Sequence, residues 1–411
     1  MTASQVFVGL SLILALAVAC QVVAARVGVP AIIVLLPVGF TAGALVPSVN
    51  PDKLLGVAFE PLVSLAVAVI LFDGGLDLVL HDLSGHIGVV VRRLLILGIP
   101  ITWGGAALFA WLLFGMSTQA AVMLGAILIV SGPTVVGPIL HNAAPGRRLD
   151  VILTHEGTTI DPIGALIGVV VYQLLITHHV HGVARGLVGF GGRIVVGLVG
   201  AAFGLLVLWF LLKKLRLTGV LAAEAILATV LTTAGLCDAL APDTGLVAAI
   251  AMGMVIANVS GEDLPEDRRQ LKTVVQLTIG LLFISISATV TPASLRGTVV
   301  PSIVLVVLLV LVVRPVVALF STWGTDLSPQ ERIFVGAMHP RGIIAASTAA
   351  SFAPPLVALG LGGADELLPA TFLVIVGTAA AYGLGAKPLT RALGLGDPPG
   401  GASPDGQAGG D

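Results

Sequence analysis

This chain has little charge. Only 10% of its 411 residues are Asp, Glu, Lys or Arg, where a soluble domain carries about 25%. So little charge cannot wet the surface of a globule, which excludes a soluble fold. Neither sign dominates: 20 basic and 22 acidic residues leave a formal net charge of −2. The basic field that nucleic-acid binding needs is missing, so no nucleic acid is expected as a partner. The two cysteines, Cys20 and Cys237, are too few for a disulfide framework or a metal cluster, and read as small apolar packing residues. Positive charge is also absent from the start. Leu16-Ala17-Val18-Ala19-Cys20 faintly resembles a lipoprotein cleavage site, but no Lys or Arg precedes Arg26 to form the basic region of a signal peptide. No nucleophile–base pair or His-Glu-x-x-His set is present, and His155-Glu156 is not that motif. An enzyme is not expected, nor a cofactor.

What the chain does have is apolar length. Hydrophobic residues make up 57% and the mean hydropathy is +1.08. The apolar runs approach the ~20 residues needed to cross a ~30 Å hydrocarbon core. Cutting them at polar, Pro and Gly punctuation gives an all-α membrane protein of about thirteen spans. These lie near 4–25, 29–46, 54–79, 88–114, 119–141, 148–176 and 187–212, then 219–236, 243–259, 269–290, 297–321, 329–353 and 366–390. Basic residues divide sharply between alternate connections. Arg26, Arg92, Arg93, Arg147, Arg148, Lys213, Lys214, Arg216, Arg268, Arg269, Lys272, Arg332, Lys387 and Arg391 fall on one side; Lys53, Arg185, Arg193 and Arg296 fall on the other. The positive-inside rule then puts the N-terminus outside and the C-terminus in the cytoplasm of a multi-pass cell-membrane protein.

The layout repeats. Spans starting near 4, 54 and 119 correspond to spans starting near 219, 269 and 329. Two six-span units, about 1–176 and 219–392, joined by a linker helix at about 187–212, have opposite orientations and form an inverted repeat. In such transporters the site lies where broken helices of the two units meet. Breaks occur at matching places: Ser131-Gly132-Pro133-Thr134 in span five and His339-Pro340-Arg341-Gly342 in span twelve, 208 residues apart from 131 to 339. A proline removes a backbone donor and frees carbonyls, tolerated at membrane depth only when buried or lining a cavity. The membrane domain covers 1–392; residues 393–411, rich in Gly, Pro and Asp, read as a disordered cytoplasmic tail.

Ionisable residues inside the membrane are costly and mark function by default. Two acids stand out in span six, in Thr154-His155-Glu156-Gly157-Thr158-Thr159-Ile160-Asp161-Pro162; Arg314 and Arg341 are the only bases deep in apolar runs. Five residues turn a helix by about 500°, or roughly 140° around its axis, so Glu156 and Asp161 face different partners. A carboxylate pinned by arginine stays ionised; one without such a partner can trade its proton, because burial disfavours the charged form. Asp161 is assigned to exchange of H⁺ against a monovalent cation. Thr158, Thr159, Ser131 and Thr134 are candidate oxygen ligands for a hard cation. Asp followed by Pro is also a good helix start, the competing reading of Asp161. Glu156 is assigned to a buried ion pair with Arg314, with Arg341 the other choice. Asp73 and Asp77 in span three are candidates for a water-filled funnel, Glu224 in span eight for interfacial solvation. His155 and His339 read as packing residues, and His178, His179 and His181 as a solvated external cluster.

These motifs resemble one family. Ser131-Gly132-Pro133-Thr134, Glu156-Gly157 through Asp161-Pro162-Ile163-Gly164-Ala165, and Pro340-Arg341-Gly342-Ile343 are similar to those of the bacterial sodium/proton antiporters of the NhaP/NHE type, over about residues 1–392. The resemblance implies thirteen helices in two inverted six-helix repeats, crossed broken helices in spans five and twelve, a core domain, a dimerisation domain and elevator-like alternating access. It implies a homodimer. By motif, Asp161 corresponds to the ion- and proton-binding aspartate and Glu156 to the glutamate paired with Arg314. Ser131 takes the place of the broken-helix threonine that helps ligate the ion, and Arg341-Gly342 matches the Arg-Gly of the twelfth helix. Asp73 falls where some members carry an acid near the ion. Two departures stand out: Ile160-Asp161 replaces Asn-Asp, and Ser131-Gly132-Pro133 replaces Thr-Asp-Pro. The expected activity is electroneutral 1:1 exchange of Na⁺ or K⁺ for H⁺ at the single aspartate. The rival is an uncoupled channel, which needs a filter of repeated carbonyls or acids.

Overall fold

The computed structural model describes residues 3–46, 49–78, 85–180, 183–242, 244–259 and 265–396, without the side chains of 3, 52, 86, 133, 134, 162, 177–180, 183–190 and 265–269. Regular structure among them is entirely helical, as lipid demands: a helix satisfies its own backbone. The first half runs α1 (Ala3–Val27), α2 (Ile32–Leu45), α3 (Pro51–Leu55), α4 (Phe59–Leu76), α5 (Gly85–Phe114), α6 (Thr118–Ile127), α7 (Pro133–Ala143) and α8 (Arg147–Val180). After α9 (Val183–Trp209) come α10 (Val220–Leu240), α11 (Thr244–Val259), α12 (Pro265–Thr289), α13 (Val299–Leu308), α14 (Arg314–Thr322), α15 (Pro329–Gly336), α16 (Ile343–Ala358) and α17 (Leu367–Leu393). Among the described residues, nine helices are long and apolar enough to cross a membrane, and four further apolar helices are shorter. Together they stand where the sequence places thirteen spans. The order also recurs: the second position of each half is a short helix (α2, α11) and the fifth is broken (α6–α7, α15–α16).

Both breaks begin ahead of their prolines. α6 ends at Ile127 and α7 starts with Pro133 in its first turn, so the interruption is 128–132 rather than 131–134. Proline lacks the N–H to reach back, and the residue before it prefers an extended backbone; Gly132 has φ −73° and ψ 124°. The second break occupies 337–342, between Gly336 and Ile343. A capping box at Ser328 and Glu331 fixes the start of α15. Just before Arg314 the chain widens into a π turn, Leu309–Val313, in which the Arg314 N–H reaches the Leu309 carbonyl. Pro315 follows and cannot continue the ordinary ladder, and the extra residue sets the direction of Arg314.

Small residues let helices approach where lipid offers no hydrophobic drive, and the tightest approaches sort the helices into two sets. A Cβ on Gly43 would collide with the backbone of Ala288, one on Gly75 would lie 2.7 Å from the Ile250 carbonyl, and one on Gly253 would meet the Phe72 carbonyl. These lock α2 to α12 and α4 to α11, and Gly197 and Gly245 join α9 and α10 to the same set. In the other set, Gly125 of α6 meets the Trp103 carbonyl of α5, while Gly164 (α8) and Gly377 (α17) fit against valine side chains of the first break and α13. Among the described residues, no glycine brings backbone to backbone across the two sets. Gly383 of α17 crosses to α2, but only side-chain atoms of Ile33 and Pro30 face it.

Candidate functional site

The two breaks cross in direct contact. A Cβ on Gly342 would sit 2.5 Å from the Gly132 Cα and 2.8 Å from its nitrogen, so the peptide planes pack without side chains between them. Four helix ends meet here, and the C-terminal ends of α6 and α15 bring unbonded carbonyls and partial negative charge. An arginine answers each. Arg341 Nη1 donates to the carbonyls of Ile129 (3.2 Å) and Val130 (3.4 Å) beyond α6, and Arg314 Nε donates to that of Val335 (2.9 Å) in α15.

Arg314 also grips Glu156 in two parallel bonds, Nη1 to Oε1 at 2.5 Å and Nη2 to Oε2 at 2.7 Å, with the side chains 3% and 2% exposed. This bidentate geometry is the strongest form of such a contact. The choice between Arg314 and Arg341 thus resolves to Arg314. His339 lies beside the pair, Nδ1 3.8 Å from Glu156 Oε1, and its Nε2 is buried without a hydrogen-bond partner.

Asp161 stands apart from this network. α8 runs without interruption from Arg147 to Val180, so Asp161 lies in mid-helix and is not a helix cap. It is 4% exposed, and its Oδ1 is buried with no hydrogen-bond partner. Pro162 contributes no N–H, which deprives the Thr158 carbonyl, one turn earlier, of its ladder bond. The Thr158 hydroxyl donates to the Thr154 carbonyl at 2.6 Å, leaving its lone pairs free to accept. The Thr159 hydroxyl is buried and unpartnered, and Ser131 is buried at the crossing. The side chain of Thr134 lies outside the described residues, as do those of His178 and His179; His181 lies outside them altogether.

A cavity of about 450 Å³ leads to Asp161. It runs between the two helix sets, with Asp161, Thr158, Thr154 and His155 of α8 on one wall and Asp73 of α4 and Asp77 at its C-terminal end on the other. The sequence had both aspartates as candidates for a funnel, and both line it. Thr159 and Ser131 do not. Gln21, Gln276 and Lys272 also line it, with Gln21 Nε2 donating to the Gln276 carbonyl at 2.7 Å. Sequence reasoning missed the two glutamines, although an amide inside an apolar run, as at Gln21, is a readable signal, and it took Lys272 only as a basic residue of a connection. Glu224 is exposed. Among the described residues, no three His, Cys, Asp or Glu side chains converge to hold a metal ion. One free carboxylate with hydroxyl and carbonyl oxygens suits a singly charged, hard ion.

Comparisons with known proteins bear on the family and the fold. The family model described as "Sodium/hydrogen exchanger, transmembrane" matches residues 11–392. The K(+)/H(+) antiporter NhaP of Alkalimonas amylolytica is 22% identical over 338 residues, 80% of this chain and 57% of that protein. The chain therefore spans little more than half of that relative's length. The Na(+)/H(+) antiporter NhaH of Halobacillus dabanensis is 23% identical over 95% of this chain and 98% of its own. The structure of the sodium proton antiporter MjNhaP1 from Methanocaldococcus jannaschii superposes with a TM-score of 0.79 at 18% identity, covering 97% of this chain and 100% of that one. At that identity the likeness establishes the fold.

Proposed function

Because the chain belongs to the sodium/hydrogen exchanger family, we propose that it is a secondary antiporter exchanging one H⁺ for one monovalent cation, Na⁺ or K⁺, at Asp161. The observation that carries this is the contrast within α8. Glu156 is held in two charge-assisted bonds, while Asp161 Oδ1 has no hydrogen-bond partner and its carboxyl group lines a cavity opposite Asp73. A buried charge needs a partner; for Asp161 a proton or a cation supplies it, and the two compete. The Thr158 hydroxyl and the carbonyl released by Pro162 are the nearest further ligands on the same helix, with Thr159 and Ser131 close by in sequence and at the crossing. Curated relatives named for K⁺ and for Na⁺ support either cation.

The buried charges support electroneutral exchange. Glu156 balances Arg314, and the charge of Arg341 cancels that of an ionised Asp161 in the buried sum. Adding H⁺ or one monovalent cation changes that sum by the same amount, so both loaded forms move equal charge. The basic-residue bias supports an N-terminus outside, and with Lys272 in its wall the cavity on this reading opens to the cytoplasm of a cell-membrane protein. The set containing α5–α8 and α13–α17 moves against the set containing α4, α9–α12 and α2, which serves for dimerisation. Dequenching of a pH dye in proteoliposomes on addition of Na⁺, K⁺ or Li⁺ tests the function. A signal with Na⁺ or K⁺ is expected, eliminated by Asp161→Asn in protein that stays monodisperse. Exchange retained by that variant refutes the site; no signal with any cation refutes the function.

A further inference from the structure

We infer that Asn142 is a positioning residue for exchange, a latch that biases the two helix sets toward the arrangement in which the cavity at Asp161 stands open. α1 packs with α12, where a Cβ on Gly280 would meet Gln21 and Ala17, and so belongs to the set of α2, α4 and α9–α12. Long-range bonds within that set join Gln21 to Gln276, Ser64 to Asp238 and Asn258 to Leu78. Within the other set they join Arg93 to Trp323 and Arg148 to Asp326. Asn142, in the last turn of α7, reaches across instead: its Nδ2 donates to the Gly28 carbonyl, between α1 and α2, at 2.5 Å. Both partners sit at the mouth of the cavity. Val135 and Pro138 of α7 line it, and Asn142 lies four residues past Pro138, about 6 Å further along nearly the same face. On the facing wall Ala31 and Ile32 line it, three and four residues after Gly28. The acceptor is built into the turn. Gly28 closes α1 in the left-handed region, φ +73°, with its own N–H and that of Val29 on the Ala24 carbonyl. Glycine favours this conformation, and it carries the Gly28 carbonyl beyond the helix end. Because α7 and α2 face each other across the cavity, closing it changes the spacing of Asn142 and Gly28. Both residues are exposed, so water replaces the bond when they part. The latch is therefore a bias of roughly two- to tenfold rather than a lock.

The latch rests on the exchange reading. A state that is populated more fully shows a lower apparent KM for the cation at the face to which it opens, and the opposite face shows a higher one. Asn142→Ala is therefore expected to raise the KM at the face on which the cavity opens, cytoplasmic on this reading, and to lower it at the other. The ratio of the two should change by roughly two- to tenfold, measured with Na⁺ or K⁺ in right-side-out and inverted vesicles, while the melting temperature stays near wild type. A merely structural role would lower the rate from both faces and leave the ratio alone. In full-length protein with Cys20 and Cys237 replaced by Ala, a short reducible cross-linker joining Val27→Cys to Asn142→Cys is expected to cut exchange at least tenfold, with recovery on reduction. A folded Asn142→Ala protein with the wild-type KM ratio, or exchange that survives complete cross-linking, overturns the latch and leaves antiport standing. Wild type that exchanges none of Na⁺, K⁺ and Li⁺ overturns the antiport reading and the latch with it.

Discussion

Removing the side chain of Arg314 would leave Glu156, 2% exposed, without its counter-charge, and would free the Val335 carbonyl as well. Breaking one side of a buried pair costs about 3–5 kcal/mol, a large share of a typical stability of roughly 5–15 kcal/mol. Glu156→Ala and Arg314→Ala are therefore each expected to cut the yield of monodisperse protein and lower its melting temperature, read by size-exclusion chromatography and a thermal ramp. The paired change Glu156→Gln with Arg314→Met is expected to recover part of the loss, since no lone charge remains. Asp161→Asn should melt as wild type does, because it breaks no hydrogen bond that Oδ1 makes. Much of this was legible in the sequence: two acids and two arginines in apolar runs, with the acids roughly 140° apart on one helix. The partner of Arg341 was not. It is bonded to the carbonyls of Ile129 and Val130, and a backbone acceptor leaves no trace in residue type. His339 beside Glu156 was equally hidden, since proximity across 183 positions of sequence has no local signal.

The crossing of the broken helices depends on an approach that only glycine permits. At Gly342 a methyl group would fall 2.5 Å from the Gly132 Cα, a contact that backbone cannot relieve without moving α16 off α7. Overpacking of this kind costs roughly 1–3 kcal/mol or more. Gly342→Ala is expected to abolish or severely slow exchange and to lower the melting temperature. Gly137→Ala, inside α7 with nothing within 4 Å of its added Cβ, is the control. It should keep exchange and gain a few tenths of a kcal/mol or more in stability from the better helix former. A Gly342→Ala protein with normal exchange and melting would show that the breaks do not need this contact. The breaks themselves could be read from Gly-Pro and Pro-Arg-Gly. Their start could not, because α6 stops at Ile127, where the following carbonyls turn to Arg341. The π turn before Arg314 was also unread: Pro315 forbids the next ladder bond, but a kink, an end or a widened turn all satisfy that rule.

At the scale of the whole molecule, the proposed exchange is a competition of two ions for one carboxylate carried between two faces. Where the site is mostly protonated, each tenfold rise in H⁺ must be met by a tenfold rise in cation to hold the same occupancy. The apparent KM for the cation is therefore expected to rise up to tenfold per unit fall of pH, with little change in the maximal rate, measured by dye dequenching across a pH series. A fixed KM with a falling maximal rate would point to separate sites. The same single carboxylate sets the response to voltage. A cycle that moved one net charge across the full field would gain or lose about 2.3 kcal/mol per 100 mV, up to roughly fifty-fold in rate. One H⁺ against one monovalent cation moves none, and Ile160, 1% exposed, supplies no second ionisable group beside Asp161 to carry another proton. With the potential set by a gradient of a permeant lipophilic ion, the exchange rate is expected to change less than about twofold over 100 mV of either sign, well inside that range. A steep response would require a second proton per cycle, and His339, buried against Glu156 between the two arginines, would be the residue to replace first. Its conversion to Gln would then have to flatten the voltage dependence, whereas in the one-carboxylate cycle that replacement leaves the flat response unchanged.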